Sequence, residues 1–271
     1  MLEEHATMQT DYHKIYSGSL GQEFELKVYG TSGKPVMVFP TSCGRFFDYE
    51  DHGMIGSMAE FIERGEIMVC AVDGRDRESW YKPVRDEWIG IRHGHYESCI
   101  TREVIPFLRE RYGVREKFLA TGNSFGAFHS ANFFLKFPDH FDSALCLSGC
   151  YAMRQEMGGF CDTGVFFNEP VHYMPGLADE ALLEKLRDGY IVISHGLGAW
   201  ETFNDQAAAL AGTLQGKGLT CWYDPWGPEW PHDWNTWLAQ MPNYLRQFRE
   251  GVLARGGMVK LTGPERRVNL L

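Results

Sequence analysis

Residues 117–138 read KFLATGNSFGAFHSANFFLKFP, two apolar segments joined by a short turn that contains glycine and serine. The apolar run at 117–122 predicts a buried strand, and 124–138 predicts a helix that a proline ends. Between them, residues 122–126 form the pattern G-x-S-x-G. A sharp strand-to-helix turn of this kind projects its serine hydroxyl above the sheet. Glycines flank the serine because side chains there would collide with the neighbouring strand and helix. We therefore expect Ser124 to be a nucleophile.

Short apolar strands alternate with amphipathic helices along the rest of the chain. We predict strands at 23–30, 35–40, 67–74, 117–122, 143–149, 190–196 and 220–227, and helices at 54–66, 96–113, 124–138, 179–189, 201–218 and 232–251. This alternation is typical of a mostly parallel central sheet with helices on both faces. No Pro-rich or Ser/Gly-rich linker divides the chain, so we expect one domain over 1–271. Its core would span about 12–250, with an irregular cover segment at 152–178 and a C-terminal tail at 253–271.

The charge, the apolar runs and the cysteines of the chain limit the partners and the location that we expect for it. Of 271 residues, 26 are Lys or Arg and 36 are Asp or Glu, so the formal net charge is −10. A field of that sign disfavours nucleic acid and anionic membranes as partners, and no apolar run approaches the ~18 residues of a membrane span. The seven cysteines form no CxxC pair and the N-terminus lacks a secretory pattern, so we expect free thiols and a cytoplasmic location. We expect a small-molecule ester substrate and no metal, and a homodimer is the candidate assembly.

A serine hydroxyl needs a base, and in this architecture the acid and then the base follow the serine along the chain. His195 and His232 are the two histidines in the last third of the chain. We choose His232, because it follows the last strand, whereas His195 ends an earlier one. The acid is expected after strand 190–196. Glu201 is the first choice there, and Asp205, one helical turn further, is the alternative.

Two backbone N–H groups are expected to hold the oxyanion of the tetrahedral intermediate. One belongs to Phe125, which follows the nucleophile, and the other comes from the turn after strand 35–40. In that turn we choose Ser42, with Thr41 as the alternative, since Pro40 has no N–H to donate.

Aromatic residues follow several predicted strands, at the carboxyl edge where functional groups gather in such sheets. The candidate substrate-binding residues are Arg45, Phe46, Trp80, Tyr151, Trp200 and Trp230. They predict an apolar, flat-sided pocket for an acyl or aryl group, and hence a preference for small or aromatic esters.

The segment GTSGK at 30–34 contains glycines, as phosphate-binding loops do. Its glycine spacing differs from that of such a loop, and it precedes a strand instead of a helix. We therefore predict a hairpin turn there and no nucleotide or other cofactor.

With these residues in place, the chain resembles the α/β-hydrolase superfamily. Within it, the chain is similar to the putative esterase family of esterase D, S-formylglutathione hydrolases, feruloyl and enterochelin esterases and mycolyltransferases. The resemblance covers about 12–250, and its most specific segments are VFPTSCGRFFDYED, GNSFGAFHSANFFLKFPDHF, FFNEPVHYMPGL, GLGAWE, DQAAALAGTLQGKG and WGPEWPHDWNTW. It implies an α/β-hydrolase fold with Ser124, Glu201 and His232 as nucleophile, acid and base. Two departures stand out: Phe125 and the residues after it replace a common Met-Gly-Gly or Leu-Gly-Gly, and the acid is Glu where Asp is more usual.

The residues and the resemblance together predict a serine carboxylesterase that works through an acyl-enzyme. A thioesterase similar to S-formylglutathione hydrolase and an acyltransferase are the enzymatic alternatives. A non-catalytic binding protein on the same fold is a third interpretation, against which an intact triad in the right order argues.

Overall fold

Eight strands form the central sheet of the computed structural model, which describes residues 8–248. The strands are β1 (Thr10–Ser17), β2 (Gln22–Tyr29), β3 (Lys34–Phe39), β4 (Ile67–Val72), β5 (Phe118–Asn123), β6 (Phe141–Leu147), β7 (Tyr190–His195) and β8 (Thr220–Pro225). Their order is β1-β2-β4-β3-β5-β6-β7-β8. The β1–β2 and β2–β4 pairs are antiparallel, and the other neighbouring pairs are parallel. The predicted mostly parallel sheet is therefore confirmed.

Helices cover both faces of this sheet. They are α1 (Asp48–Asp51), α2 (Met54–Ser57), α3 (Ala59–Glu63), α4 (Trp88–Cys99), α5 (Ile105–Tyr112), α6 (Phe125–Lys136), α7 (Thr163–Phe166), α8 (Pro170–Tyr173), α9 (Glu180–Arg187), α10 (Asn204–Gly216) and α11 (Trp234–Phe248). The helix expected at 54–66 is instead divided between α2 and α3.

Strand β3 shows how the core is divided between the two faces. Met37 and Phe39 join a cluster with residues of α4, α5, α6 and α10, whereas Val36 and Val38 join one with residues of α2, α3 and α11. Successive side chains of a strand point to opposite faces, so both faces are buried and the strand reads as an unbroken apolar run.

The helix predicted at 96–113 is longer and more irregular than expected. It begins as α4, continues through a π-helical turn at Ile100–Val104, and ends as α5 at Gly113, which has a φ of 69°. Pro106 lies in the first turn of α5. A proline cannot donate its backbone hydrogen bond, and the widened turn directly before it accommodates that loss.

The prediction of a hairpin at 30–34 is wrong. Strands β2 and β3, which this segment joins, do not pair, because β4 lies between them and bonds to both. Strand β1 was not predicted either. Its side chains are mostly exposed or half-buried at the sheet edge, so it lacks the burial that marks β3 to β7.

The cover segment expected at 152–178 contains α7 and α8 and is tied down by one buried carboxylate. Glu169 is fully buried, accepts the N–H groups of Met153 and Arg154, and forms an ion pair with the Arg154 guanidinium. Within residues 8–248, none of the helices has the length and apolarity that crossing a bilayer requires. The tail expected at 253–271 lies outside the described residues.

Candidate active site

The turn between β5 and α6 holds Ser124 in an unusual backbone conformation, with φ 53° and ψ −120°. Non-glycine residues avoid positive φ, and such strain concentrates at functional sites. A Cβ atom on Gly122 would lie 2.4 Å from the carbonyl carbon of Gly126, and one on Gly126 would lie 2.3 Å from the carbonyl oxygen of Phe39. Both flanking glycines are therefore sterically required for this turn.

Three side chains meet at the carboxyl ends of β5, β7 and β8. Ser124 Oγ lies 3.0 Å from His232 Nε2, and His232 Nδ1 lies 3.4 Å from Glu201 Oε2. The Glu201 side chain is 3% exposed and that of His232 is 18% exposed. One nitrogen of the imidazole thus faces the serine hydroxyl and the other faces a shielded carboxylate. This arrangement lets the imidazole accept a proton from the serine.

Ser148 and Gly196 hold the carboxylate of Glu201, and Trp237 holds Ser148; sequence reasoning assigned a role to none of them. Glu201 Oε1 accepts hydrogen bonds from Ser148 Oγ at 2.5 Å and from the Gly196 N–H at 3.0 Å. Trp237 Nε1 in turn donates to Ser148 Oγ at 2.9 Å, and the Trp237 ring packs edge-on against His232. Ser148 directly follows β6 at the functional edge of the sheet, which is a signal for it. Trp237 carries no local signal.

These contacts set the ionisation of Glu201. Burial by itself raises the pKa of this carboxyl, but the hydrogen bonds from His232, Ser148 and Gly196 outweigh burial, and the pKa lies below its usual value. Glu201 is therefore a carboxylate at neutral pH, as a partner for an imidazolium must be.

The alternatives for base and acid are not brought to Ser124. His195 is buried, with its ring nitrogens bonded to the Tyr223 hydroxyl and the Gly196 carbonyl. Asp205 is exposed on the first turn of α10, with no hydrogen bond or ion pair to His232 in the described chain.

The turn after β3 leaves one of its backbone N–H groups unpaired. Three others are engaged at 2.8–3.0 Å: Thr41 donates to Asp48, Cys43 to Asp76 and Gly44 to the Thr41 carbonyl. Over residues 8–248, neither the Ser42 N–H nor the Phe125 N–H has a hydrogen-bond acceptor. These are the two amides predicted to face an oxyanion, and the engagement of Thr41 favours Ser42 over it.

Two of the aromatic residues predicted to line a pocket are instead core residues. Trp80 and Tyr151 are each 0% exposed. Trp80 packs edge-on against Phe128 and donates its indole N–H to His93 Nδ1. Both assignments are corrected, because a side chain with no accessible surface does not contact a substrate.

Arg45 and Phe46 are engaged with the antiparallel edge of the sheet. The Arg45 guanidinium is bound to Asp73, 2.5 Å away, and to Glu25 on β2. Phe46 is buried and packs against Tyr12 of the edge strand β1. These two side chains therefore join the turn after β3 to β1 and β2.

The remaining aromatic candidates lie beside the acid loop. Trp200, with φ 68°, precedes Glu201 and is 81% exposed. Trp230 is half-buried, and its backbone lies so close to Gly196 that a Cβ there would be 1.8 Å from the Trp230 carbonyl oxygen. Tyr81, which follows Trp80, is 39% exposed. In the described chain, no group of three or more His, Cys, Asp or Glu side chains is placed to hold a metal ion.

Comparison with protein families gives a match over most of the chain. The model of the family described as "Putative esterase" matches residues 17–248. None of the curated proteins compared with the chain matches it.

Solved structures share the fold at low sequence identity. A ferulic acid esterase superposes with a TM-score of 0.71 at 15% identity, over 88% of this chain and 96% of its own. The S-formylglutathione hydrolase FrmB of Staphylococcus aureus gives 0.68 at 15% identity, over 89% and 99%. MPT51 of Mycobacterium tuberculosis gives 0.63 at 15% identity, over 88% and 97%. The architecture is the α/β-hydrolase fold that the resemblance implied.

Proposed function

Because the chain belongs to the putative esterase family, we propose that it is a serine carboxylesterase with Ser124 as nucleophile, His232 as base and Glu201 as acid. Family membership gives the general activity, hydrolysis of carboxylic esters by a serine hydrolase. The observation that carries the residue assignment is the hydrogen-bonded relay from Ser124 Oγ to His232 Nε2, at 3.0 Å, and from His232 Nδ1 to Glu201, at 3.4 Å.

Acylation begins when Ser124 Oγ attacks the ester carbonyl carbon while its proton passes to His232 Nε2. The resulting imidazolium keeps its Nδ1–H directed at Glu201, whose carboxylate offsets the new positive charge. His232 then delivers the proton to the leaving alcohol, and the acyl group remains on Ser124 Oγ.

The carbonyl oxygen gains negative charge during the attack, and we assign its stabilisation to the N–H groups of Phe125 and Ser42. Within the part of the chain that the structure describes, both amides lack another acceptor, and both belong to turns held by steric contacts and hydrogen bonds. Donors that are positioned in advance stabilise the developing oxyanion without reorganising.

Deacylation repeats the sequence with water as the nucleophile. His232 takes a proton from the water, which attacks the acyl carbon, and the proton then returns to Ser124 Oγ as the acid product leaves. An alcohol or thiol in place of water would make the protein an acyltransferase, so product analysis with added alcohol separates these two outcomes.

The substrate class that we propose is small or aromatic esters. Trp200 and Tyr81 expose aromatic surface beside Glu201 and Phe125 respectively, which suits flat acyl or aryl groups. A panel of acetyl, benzoyl and long-chain esters, with matched thiol esters, tests this class. We expect acetyl or benzoyl oxygen esters to give the highest kcat/KM. Better turnover of long-chain emulsions would contradict the aromatic class, and better turnover of thiol esters would favour a thioesterase.

The Ser124→Ala variant tests the nucleophile. Turnover of p-nitrophenyl acetate should fall about 10³-fold or more, because no oxygen remains to form the acyl-enzyme. Ser57→Ala on α2, whose hydroxyl bonds only within its own turn, is the matched control and should retain wild-type turnover. Near-normal turnover by folded Ser124→Ala would refute the assignment.

All seven cysteines are unpaired. This supports a reducing, cytoplasmic location as part of the proposal.

A further inference from the structure

We propose that Asp76 and His129 are positioning residues that fix the spacing of the two oxyanion donors, Ser42 and Phe125. This inference rests on the proposed function. Asp76 lies in the short 3₁₀ turn at Asp76–Glu78 that follows β4, and His129 lies on α6.

The Asp76 carboxylate holds the oxyanion turn from behind. It is 2% exposed, and its Oδ2 accepts the Cys43 N–H at 3.0 Å. Cys43 has a φ of 57° and directly follows Ser42. A hydrogen bond to the next amide along the chain therefore fixes the orientation of the peptide that leads out of Ser42.

The other oxygen of the same carboxylate reaches the nucleophile helix. Asp76 Oδ1 lies 2.9 Å from His129 Nε2, and His129 is 2% exposed. The His129 ring packs edge-on against the Phe125 ring one helical turn earlier, with centroids 4.9 Å apart. One carboxylate thus joins the two elements that carry the two donors.

The surroundings show why a packing role alone does not account for this pair. His129 lies among the rings of Phe125, Phe128 and Tyr96, a mainly apolar setting. Burying a carboxylate costs free energy, and well-packed apolar residues often match or exceed the stability of a buried ionic pair. What apolar residues cannot supply is directional bonding from one group to both Cys43 and His129.

Tyr81 makes a second link between the same two elements, nearer the surface. Its hydroxyl lies 2.9 Å from Ser42 Oγ, and its ring packs edge-on against Phe125 at 5.2 Å. Two links at different depths restrain both the distance between the oxyanion turn and α6 and the rotation of one relative to the other. Oxyanion donors must lie about 2.7–3.1 Å from the developing charge, so their spacing acts on the transition state more than on the bound substrate.

Substitutions of Asp76 and His129 test the inference with the full chain. Asp76→Asn removes an acceptor, and His129→Leu removes the donor. His129→Gln keeps an N–H near the position of Nε2. Kinetics with p-nitrophenyl acetate, inhibition by a trifluoromethyl ketone that forms a tetrahedral adduct, and thermal unfolding are measured for each. His140→Gln is the matched control, because His140 directly precedes the amino end of β6, whereas the proposed catalytic residues lie at the carboxyl ends of the strands.

We expect Asp76→Asn and His129→Leu to lower kcat about 10- to 100-fold with KM changed less than about 2-fold, since a small misplacement of a catalytic group costs about that much. The affinity for the trifluoromethyl ketone should fall by the same factor as kcat. His129→Gln should recover most of the loss, and His140→Gln should resemble the wild type.

Unchanged kcat and ketone affinity in folded Asp76→Asn or His129→Leu would overturn the inference. So would equal loss in His129→Gln and His129→Leu, because the Nε2 donor would then be irrelevant. If Asp76→Asn fails to fold, the comparison of His129→Leu with His129→Gln still tests the inference. A wild-type chain without esterase activity would refute the proposed function itself, which distinguishes the two failures.

Discussion

In the proposed triad Glu201 has a role that an aspartate more often has, and its contacts explain how the longer side chain is held. Ser148 and the Gly196 N–H bind one carboxylate oxygen, and the other faces His232. A flexible glutamate gains a fixed orientation from these bonds. The proposed acid is therefore held by Ser148, which directly follows β6, as well as by its own loop.

Glu201→Gln should lower kcat about 10³-fold or more, since an amide cannot stabilise the imidazolium and can hold the wrong tautomer of His232. Steady-state hydrolysis of p-nitrophenyl acetate measures the effect. Asp205→Asn is the matched control, because this exposed carboxylate lies only four residues further along the chain. Greater loss in Asp205→Asn than in Glu201→Gln would reverse our assignment of the acid.

Ser148→Ala should lower kcat about 10-fold, because Glu201 loses one charge-assisted hydrogen bond and Trp237 loses its acceptor. Losing that bond also raises the pKa of the Glu201 carboxyl toward its usual value. The variant should therefore lose activity at higher pH than the wild type when the solution is acidified. A pH–rate profile that matches the wild type in shape and height would show that Ser148 does not support the acid.

At the scale of elements, the strand–turn–helix at 117–138 depends on backbone contact between β3 and α6. Gly126→Ala places a Cβ 2.3 Å from the Phe39 carbonyl oxygen and should lower the free energy of unfolding by about 1–3 kcal/mol. Gly212→Ala in α10 meets no atom within 4 Å and should raise it by about 0.5–1 kcal/mol. Urea denaturation measures both. Equal effects would mean that the turn is not sterically constrained.

Elements with their own local signals could be predicted from the sequence. Seven strands agree within two residues. Five of them, β3 to β7, are almost wholly buried, whereas β2 alternates between apolar and polar residues and β8 is mostly half-buried. Strand β1 was missed because polar residues interrupt its apolar ones, and the 30–34 hairpin was wrong because β4 inserts between the two strands that this segment joins.

Inside the site, too, residues with a local sequence signal could be predicted, and residues placed by contacts across the fold could not. Ser124, His232 and Glu201 could be proposed because their order along the chain reflects the strands that they follow. Whether Trp80 or Tyr81 faces the site depends on how the segment after β4 packs against Phe125, which no local pattern specifies. The Asp76–His129 contact joins residues 53 positions apart and was invisible for the same reason.

At the scale of the whole molecule, a buried ion pair makes stability depend on pH. Burial raises the pKa of the Glu97 carboxyl, but the hydrogen bond from His93 and the charge of the Lys136 ammonium outweigh burial and lower it to about 2. A carboxyl whose pKa is lower in the folded state stabilises the fold above its unfolded pKa of about 4.5. That contribution is lost as the pH falls from about 4.5 toward 2.

Glu97→Gln should therefore be less stable than the wild type at pH 7 and should lose less stability between pH 4.5 and pH 2. Urea denaturation across this range measures the two slopes. Glu184→Gln, an exposed position on α9, is the control and should follow the wild type. Parallel curves for Glu97→Gln and the wild type would show that the Glu97–Lys136 pair does not govern acid stability.

Covalent labelling with a fluorophosphonate is the most direct test of Ser124 as an activated nucleophile. The probe is added to the folded protein, and the modified peptide is identified by mass spectrometry. We expect one adduct, on Ser124, that is absent in Ser124→Ala and strongly reduced in His232→Ala. No adduct in the folded wild-type protein, or an adduct on another residue that persists in both variants, would contradict it.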